Sequence, residues 1–339
     1  MAFSNASTAT AGASALSTGV LRREPEKLAP SHRVIETARI QAWLATQKLA
    51  PSRNASAAVA LTGLLRTFPH PGARRNIMRA LIQPLGADVF VVVVPERSAE
   101  GAHTRNLPPS LNAYNVLESL QALRPAGARV AAPVSSVAAC GRIDSSGHPE
   151  GMAKLQQHYA QWKHINDAYS LIRAAEATRR ARYQFVVRAR FDVNYAAALP
   201  PLQTLRRELG RRSPLIAHLG VPCTCPANTF GAEVADGFAL VPRRWADVYF
   251  TMSQSRHWCN SGTTRGPTNL SLVDMCEGRW WAVECKLTLH LAENNISAAD
   301  LQWPARFVGL GMHITCIYAS AAGCAEELAR MRWNLTLPS

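Results

Sequence analysis

Lysine is scarce in this chain: Lys27, Lys48, Lys154, Lys163 and Lys286 are the only five in 339 residues, so the net charge of +14 rests on arginine. Long apolar runs are missing as well. The longest, VFVVVV at 89–94, is strand-sized and far short of the roughly 18 residues a membrane-spanning helix needs. There is no GxSxG nucleophile elbow, no GxxxxGK[ST] phosphate loop, no GxGxxG after the first strand and no HExxH. These absences exclude the common serine-hydrolase, P-loop, dinucleotide-binding and zinc-protease signatures. Cys223-Thr224-Cys225 is a CxC pair with no second close pair after it, which argues against a zinc ribbon. No acidic residue precedes Glu24, and the Ala, Ser and Thr of that leader resemble an organellar transit segment rather than a secretory signal.

At 47% hydrophobic and 18% charged residues, the composition suits a soluble globular chain with a sizeable core. Its length points to one elaborated domain: a leader and helical extension over 1–50, then an α/β domain over 51–339. Arginine forks bind phosphate and carboxylate well, so the charge suits an anionic partner such as a nucleic acid, a sugar nucleotide or an acidic surface. Base-composition bias in the gene accounts for it equally simply. Seven of eight cysteines fall from Cys223 onward, as disulfides of an oxidising lumen or as buried thiols. Sequons begin at Asn5, Asn54, Asn269, Asn295 and Asn334, against about two expected by chance, and favour a glycoprotein of the secretory lumen (Golgi or ER). The leader favours an organelle, and a cytoplasmic location is the alternative.

Hydrophobic spacing predicts a helix over 34–48, a strand running from 57 towards 67, a short helix over 74–85 and a continuously apolar strand from Asp88. That is a βαβ unit with both sheet faces covered. A helix over 110–123 and a strand over 128–134 follow. A long helix from Met152 to about Arg180 feeds the run YQFVVRARFDV. Beyond it come a basic helix LQTLRRELGRR, strands at 214–220 and 237–242, helices over 243–252 and 281–293, a strand at 313–318 and a last helix at 321–333.

In the run 183–193, alternation places Tyr183, Phe185, Val187, Ala189 and Phe191 on one face, and Gln184, Val186, Arg188, Arg190 and Asp192 on the other. One face is core and the other charged. In open α/β sheets ligands bind beyond the carboxyl ends of strands, where Asp192 falls. The competing reading is a solvated edge strand with a surface Arg190–Asp192 pair.

Five pieces stand in order: Leu65-Arg66-Thr67-Phe68 after the first strand, Ala87-Asp88-Val89-Phe90, the helix from Gln156 to Glu176, the Tyr183-to-Asp192 strand, and Asp236-Gly237-Phe238. This set resembles GT-A-type glycosyltransferases of algae, plants and large DNA viruses, over roughly 57–293. The resemblance implies a GT-A-like (Rossmann-like) α/β fold, a mixed and mainly parallel sheet flanked by helices. It also implies a nucleoside-diphosphate sugar donor and a glycan, protein or small-molecule acceptor. Asp192 takes the place of an aspartate that ligates Mn²⁺ or Mg²⁺ on the donor pyrophosphate. The familiar Asp-x-Asp is broken here by Arg190 and Asn194. Arg188 and Arg190 could instead neutralise the diphosphate by bidentate bonds.

Arg66, just after the first strand, is a further candidate contact to phosphate or base. Asp88 opens its strand and is a candidate substrate contact whose simpler role is to cap or pair. An inverting transferase needs a carboxylate to take the acceptor proton; Asp236 is the first choice, Glu284 the second and Glu233 the third. The basic runs RRARYQFVVRAR and LRRELGRR invite a nucleic-acid reading with Tyr183 and Phe185 as stacking groups. Alternation argues against it by turning those rings away from the arginines. A nucleotide-sugar-binding module without catalysis is the other alternative.

Overall fold

A computed structural model describes residues 30–64, 71–94, 114–132, 134, 149–191, 195, 198–210, 215–218, 237–259 and 283–300. Its centre is a seven-stranded sheet in the order β3-β2-β1-β4-β6-β5-β7. The strands are β1 (Ala57–Leu64), β2 (Asp88–Val94), β3 (Gly127–Val130), β4 (Phe185–Arg190), β5 (Leu215–His218), β6 (Ala239–Pro242) and β7 (Ser297–Asp300). β1 pairs in parallel with β2 and β4, β2 with β3, and β5 with β7, while β6 runs antiparallel to β4 and β5. The fold is therefore α/β with a mixed, mainly parallel sheet flanked by helices.

Both faces are covered, which is why β2 can read DVFVVVV without alternation. On one face lie α5 (Pro149–Arg179), α7 (Arg243–Phe250) and α8 (Val283–Glu293), with Trp162, Ile165, Tyr249 and Leu287 packed on Ala58, Ala60, Phe90 and Val186. On the other lie α1 (Pro30–Thr46), α2 (Pro71–Ile77), α3 (Gln83–Leu85), α4 (Tyr114–Leu123) and α6 (Leu202–Gly210). Their Ile40, Ile77, Leu85, Leu120 and Leu205 pack on Val59, Val91 and Val187. α5 is the 31-residue helix expected from apolar steps of three and four, and Leu155, Trp162, Ile165, Tyr169 and Ile172 are its buried stripe.

Two expectations need correcting. The helix expected over 74–85 is broken into α2, a π turn at Met78–Ile82 and α3. There the Ala80 carbonyl accepts a bond from the Leu199 amide at 2.7 Å, a partner outside the helix. β7 was not expected, because Ser-Ala-Ala-Asp has little strand propensity; its place comes from pairing with β5. For β4 it is the competing edge-strand reading that falls: the strand lies between β1 and β6, and Arg188 is fully buried. The strand expected at 313–318 and the helix at 321–333 lie outside the described residues, as does the leader.

Candidate functional site

The chain runs β1, β2, β3 outward on one side of β1, then returns through α5 to place β4 on its other side. Strand order therefore reverses between β1 and β4, and the crevice beyond their carboxyl ends is the switch point where open α/β sheets hold ligands. Arg188 and Arg190 lie on the α5 face of β4 at this point. In register, Arg188 has Ala60 of β1 on one side and Ala239 of β6 on the other, and Arg190 has Thr62. The two alanines leave room above the sheet for a guanidinium. The Arg188 guanidinium carbon sits 5.3 Å from the centre of the Trp162 ring, a cation–π distance.

Two neighbouring polar atoms were not anticipated. Thr62 is 1% exposed and its Oγ1 has no hydrogen-bond partner; the buried Trp162 Nε1 has none either. Unsatisfied buried donors and acceptors are costly, and they cluster here beside Arg188 and Arg190. The signal for Thr62 was available in outline, as the one polar side chain in the run AAVALTGL. Gly63, next along, holds φ +130°, a conformation that a side chain would strain, as β1 leaves the sheet.

Asn76 of α2 also escaped the sequence reading. Its Nδ2 donates to the Tyr195 carbonyl and its Oδ1 accepts from the Tyr195 amide, both at 2.7 Å. Phe191 is buried on the same face, and the Tyr195 ring meets Phe238 edge-on at 6.2 Å. The chain is thus pinned on both sides of residues 192–194, and to the residue that leads into β6. Because β6 is antiparallel to β4, its start lies at the carboxyl end of β4. Nothing in local spacing signals Asn76, which meets Tyr195 across 119 positions.

Arg66, Asp192, Glu233 and Asp236 lie outside the described residues. Glu284 opens α8, partly buried, in the layer that also covers Arg188. Its place in the first turn is also favourable to the helix dipole. Asp88 does not join the arginines. It stands at the amino end of β2, level with Val186 and four residues, about 13 Å, short of Arg190. Its carboxylate accepts the Ser52 amide at 3.0 and 3.1 Å and the Tyr183 hydroxyl at 2.7 Å, with Arg179 at 3.9 Å. Burial and this bond push the Tyr183 hydroxyl well above its ordinary pKa, so it stays a donor. A substrate role for Asp88 is replaced by a structural one. Asp88→Ala should destabilise the fold by about 3 kcal/mol, because Tyr183 and Arg179 lose a buried partner. The check is urea unfolding, with ligand binding by the refolded variant unchanged.

Tyr183 also departs from the expected alternation. The strand starts at Phe185; Tyr183 precedes it and packs on the α5 face, while Phe185 packs on the other. Both rings are buried, which removes the stacking platform of the nucleic-acid reading.

Within α8, Lys286 is fully buried and donates to the His257 carbonyl at 2.6 Å. The His257 ring is bonded to the Glu293 carboxylate. Burial lowers the Lys286 ammonium to about 7. Cys285, beside it, is disulfide-bonded. Among the described residues no three His, Cys, Asp or Glu side chains gather as a metal cage, and no helix is long and apolar enough to cross a membrane.

No protein-family model matches the sequence, and no curated protein matches it. Among solved structures, the chain is similar to the mannosyltransferase Ktr4p from S. cerevisiae, at 9% identity and a TM-score of 0.33, over 69% of this chain and 71% of that one. The same protein in complex with GDP matches at 9% identity and a TM-score of 0.29, over 80% of this chain and 73% of that one. Likeness at this level speaks to neither substrate nor mechanism.

Proposed function

We propose that the chain is a glycosyltransferase that moves a sugar from a nucleoside-diphosphate donor to a hydroxyl acceptor. The observation that carries this reading is the pair Arg188 and Arg190 with the unsatisfied Thr62 hydroxyl at the β1/β4 switch point. Arg188 and Arg190 place two guanidiniums on one face of β4 at the switch point, and guanidinium forks suit the oxygens of an anion. The ordered motifs from Leu65 to Phe238, which resemble GT-A-type glycosyltransferases, turn that anion into the diphosphate of a sugar nucleotide.

In this reading the acceptor oxygen bonds to the anomeric carbon as the bond from that carbon to the diphosphate oxygen breaks. Arg188 and Arg190 take up the charge that develops on the leaving diphosphate. A carboxylate, Asp236 first and Glu284 second, takes the acceptor proton. The described groups at the end of β4 are guanidiniums, which repel a cation and already supply the positive charge. A divalent ion would need Asp192 as its carboxylate, and what it would supply is further neutralisation of the diphosphate. The disulfide at Cys285 and the exposed sequons at Asn54 and Asn295 support an oxidising lumen as the compartment.

The test is a panel of UDP-sugars and GDP-sugars, with and without Mn²⁺, read by melting temperature and by donor hydrolysis. One donor should raise the melting temperature, and Asp192→Ala should abolish both the shift and the hydrolysis. A shift without hydrolysis would mark a binding module, and no shift with any donor would sink the reading. Dependence of the shift on Mn²⁺ would assign the metal to Asp192.

A further inference from the structure

At the opposite end of β4 lies a groove of about 390 Å³ between the end of α5, the connector at Ala181-Arg182 and the start of α7. It is lined by four guanidiniums, those of Arg173, Arg180, Arg182 and Arg243, and by two carboxylates, Glu176 and Asp247. Both carboxylates are already engaged. Arg243 donates from Nε and Nη2 to Glu176 at 2.7 and 2.8 Å and from Nη1 to Asp247 at 3.0 Å, and the Tyr169 hydroxyl donates to Asp247 at 2.7 Å. Burial works against the Asp247 carboxylate, but the bonds from Tyr169 and Arg243 hold it below the usual range, so it stays ionised. The side chains of Arg173, Arg180 and Arg182 are left exposed around the groove.

Arg180 adds a separate observation. It follows the last turn of α5 with φ 54°, a left-handed conformation where glycine costs least. A non-glycine residue there costs about 1 kcal/mol, yet the position carries a guanidinium that lines the groove. Arg124 ends α4 in the same conformation, so the backbone marks a helix end; what is particular to Arg180 is that this turn aims its guanidinium into the groove lining.

We propose that this groove binds a phosphate monoester dianion. Four guanidiniums against two carboxylates leave a formal excess of two positive charges. One phosphate monoester, carrying close to two negative charges near neutral pH, balances that excess. A sulfate ester or a phosphate diester carries one and leaves the excess half balanced. Arg243 is held by its carboxylates, so Arg173, Arg180 and Arg182 make the contacts, with guanidinium forks matched to a tetrahedral oxyanion. The groove lies beyond the amino end of β4, whereas Arg190 closes the carboxyl end, five residues or about 17 Å along the strand from Phe185. It is distinct from the proposed donor site.

Isothermal titration with inorganic phosphate, glucose 6-phosphate and glucose 6-sulfate, each against a chloride control of matched ionic strength, tests this. Glucose 6-phosphate or inorganic phosphate should bind saturably at millimolar concentration, and glucose 6-sulfate more weakly. If the two phosphates bind alike, the ligand is free phosphate; if the ester binds better, it is a phosphorylated small molecule. Arg180→Gly should keep the fold, since glycine suits the backbone there, and weaken the Kd about tenfold, the scale of one charge-assisted contact. Arg180→Gly combined with Arg182→Ala should abolish binding, while Arg190→Ala should retain it. Absence of saturable heat with every probe overturns the proposal. So does binding that survives the double variant or is lost in Arg190→Ala, which would put the phosphate at the other end of the sheet.

Discussion

Arg188→Met is expected to abolish the rise in melting temperature that a sugar-nucleotide donor produces, while the chain still folds. The guanidinium lies between Ala60 and Ala239 beneath Trp162, a space that an unbranched side chain of similar length can fill. Methionine keeps the packing and removes the charge. Truncating a buried, hydrogen-bonded charge at a ligand interface costs about 2–5 kcal/mol, so donor affinity should fall roughly a hundredfold or more. Arg190→Lys should fall less, about tenfold, because lysine keeps the charge and loses the bidentate fork. Titration of donor into wild type and both variants, with urea unfolding as the fold control, reads the result. Equal affinity in Arg188→Met would remove Arg188 from the site.

A rise in stability between pH 7 and pH 10 is the second large effect expected. Lys286 titrates near 7 in the folded chain against 10.5 unfolded. Between those values the unfolded chain binds the extra proton, so raising the pH favours the fold. Three pH units correspond to roughly 4 kcal/mol. The rise ends near pH 10, because Tyr169 and Tyr183 have folded pKa values raised by burial and by their bonds to Asp247 and Asp88. Their contribution is present below their unfolded pKa and lost above it. Lysine is scarce and arginine stays charged throughout, and the contribution of any free thiol or tyrosine in this window is subtracted by comparison with a Lys286 variant. Lys286→Met should flatten the pH 7–10 slope and raise the melting temperature at pH 7. A wild-type profile flat from pH 7 to 9.5 would contradict the burial of a titrating Lys286.

Periodicity alone was enough for most elements, since a helix or strand that buries one stripe must repeat its apolar residues at that spacing. α5 and β2 are the plainest cases. Where an outside partner decided the backbone, periodicity failed. The π turn at Met78–Ile82 offers Ala80 to Leu199, and β7 is a strand because β5 lies beside it. Alternation was correct from Phe185 to Phe191 and wrong at Tyr183, which the Asp88 carboxylate engages before the strand begins.

The candidate site divides in the same way. Arg188 and Arg190 were legible in the sequence because charge at alternate positions of an apolar run is a local pattern. So was their common face. Their depth was not, because burial depends on which strands lie alongside. The order β2-β1-β4-β6 makes β4 central, and its charged face is closed by α5 and Trp162 rather than solvated as in the competing edge-strand reading. Asn76 and the partners of Asp88, Ser52 and Tyr183, likewise came only from tertiary structure. Each depends on contacts between residues far apart in the chain, and chain distance carries no record of spatial distance once the sheet has closed.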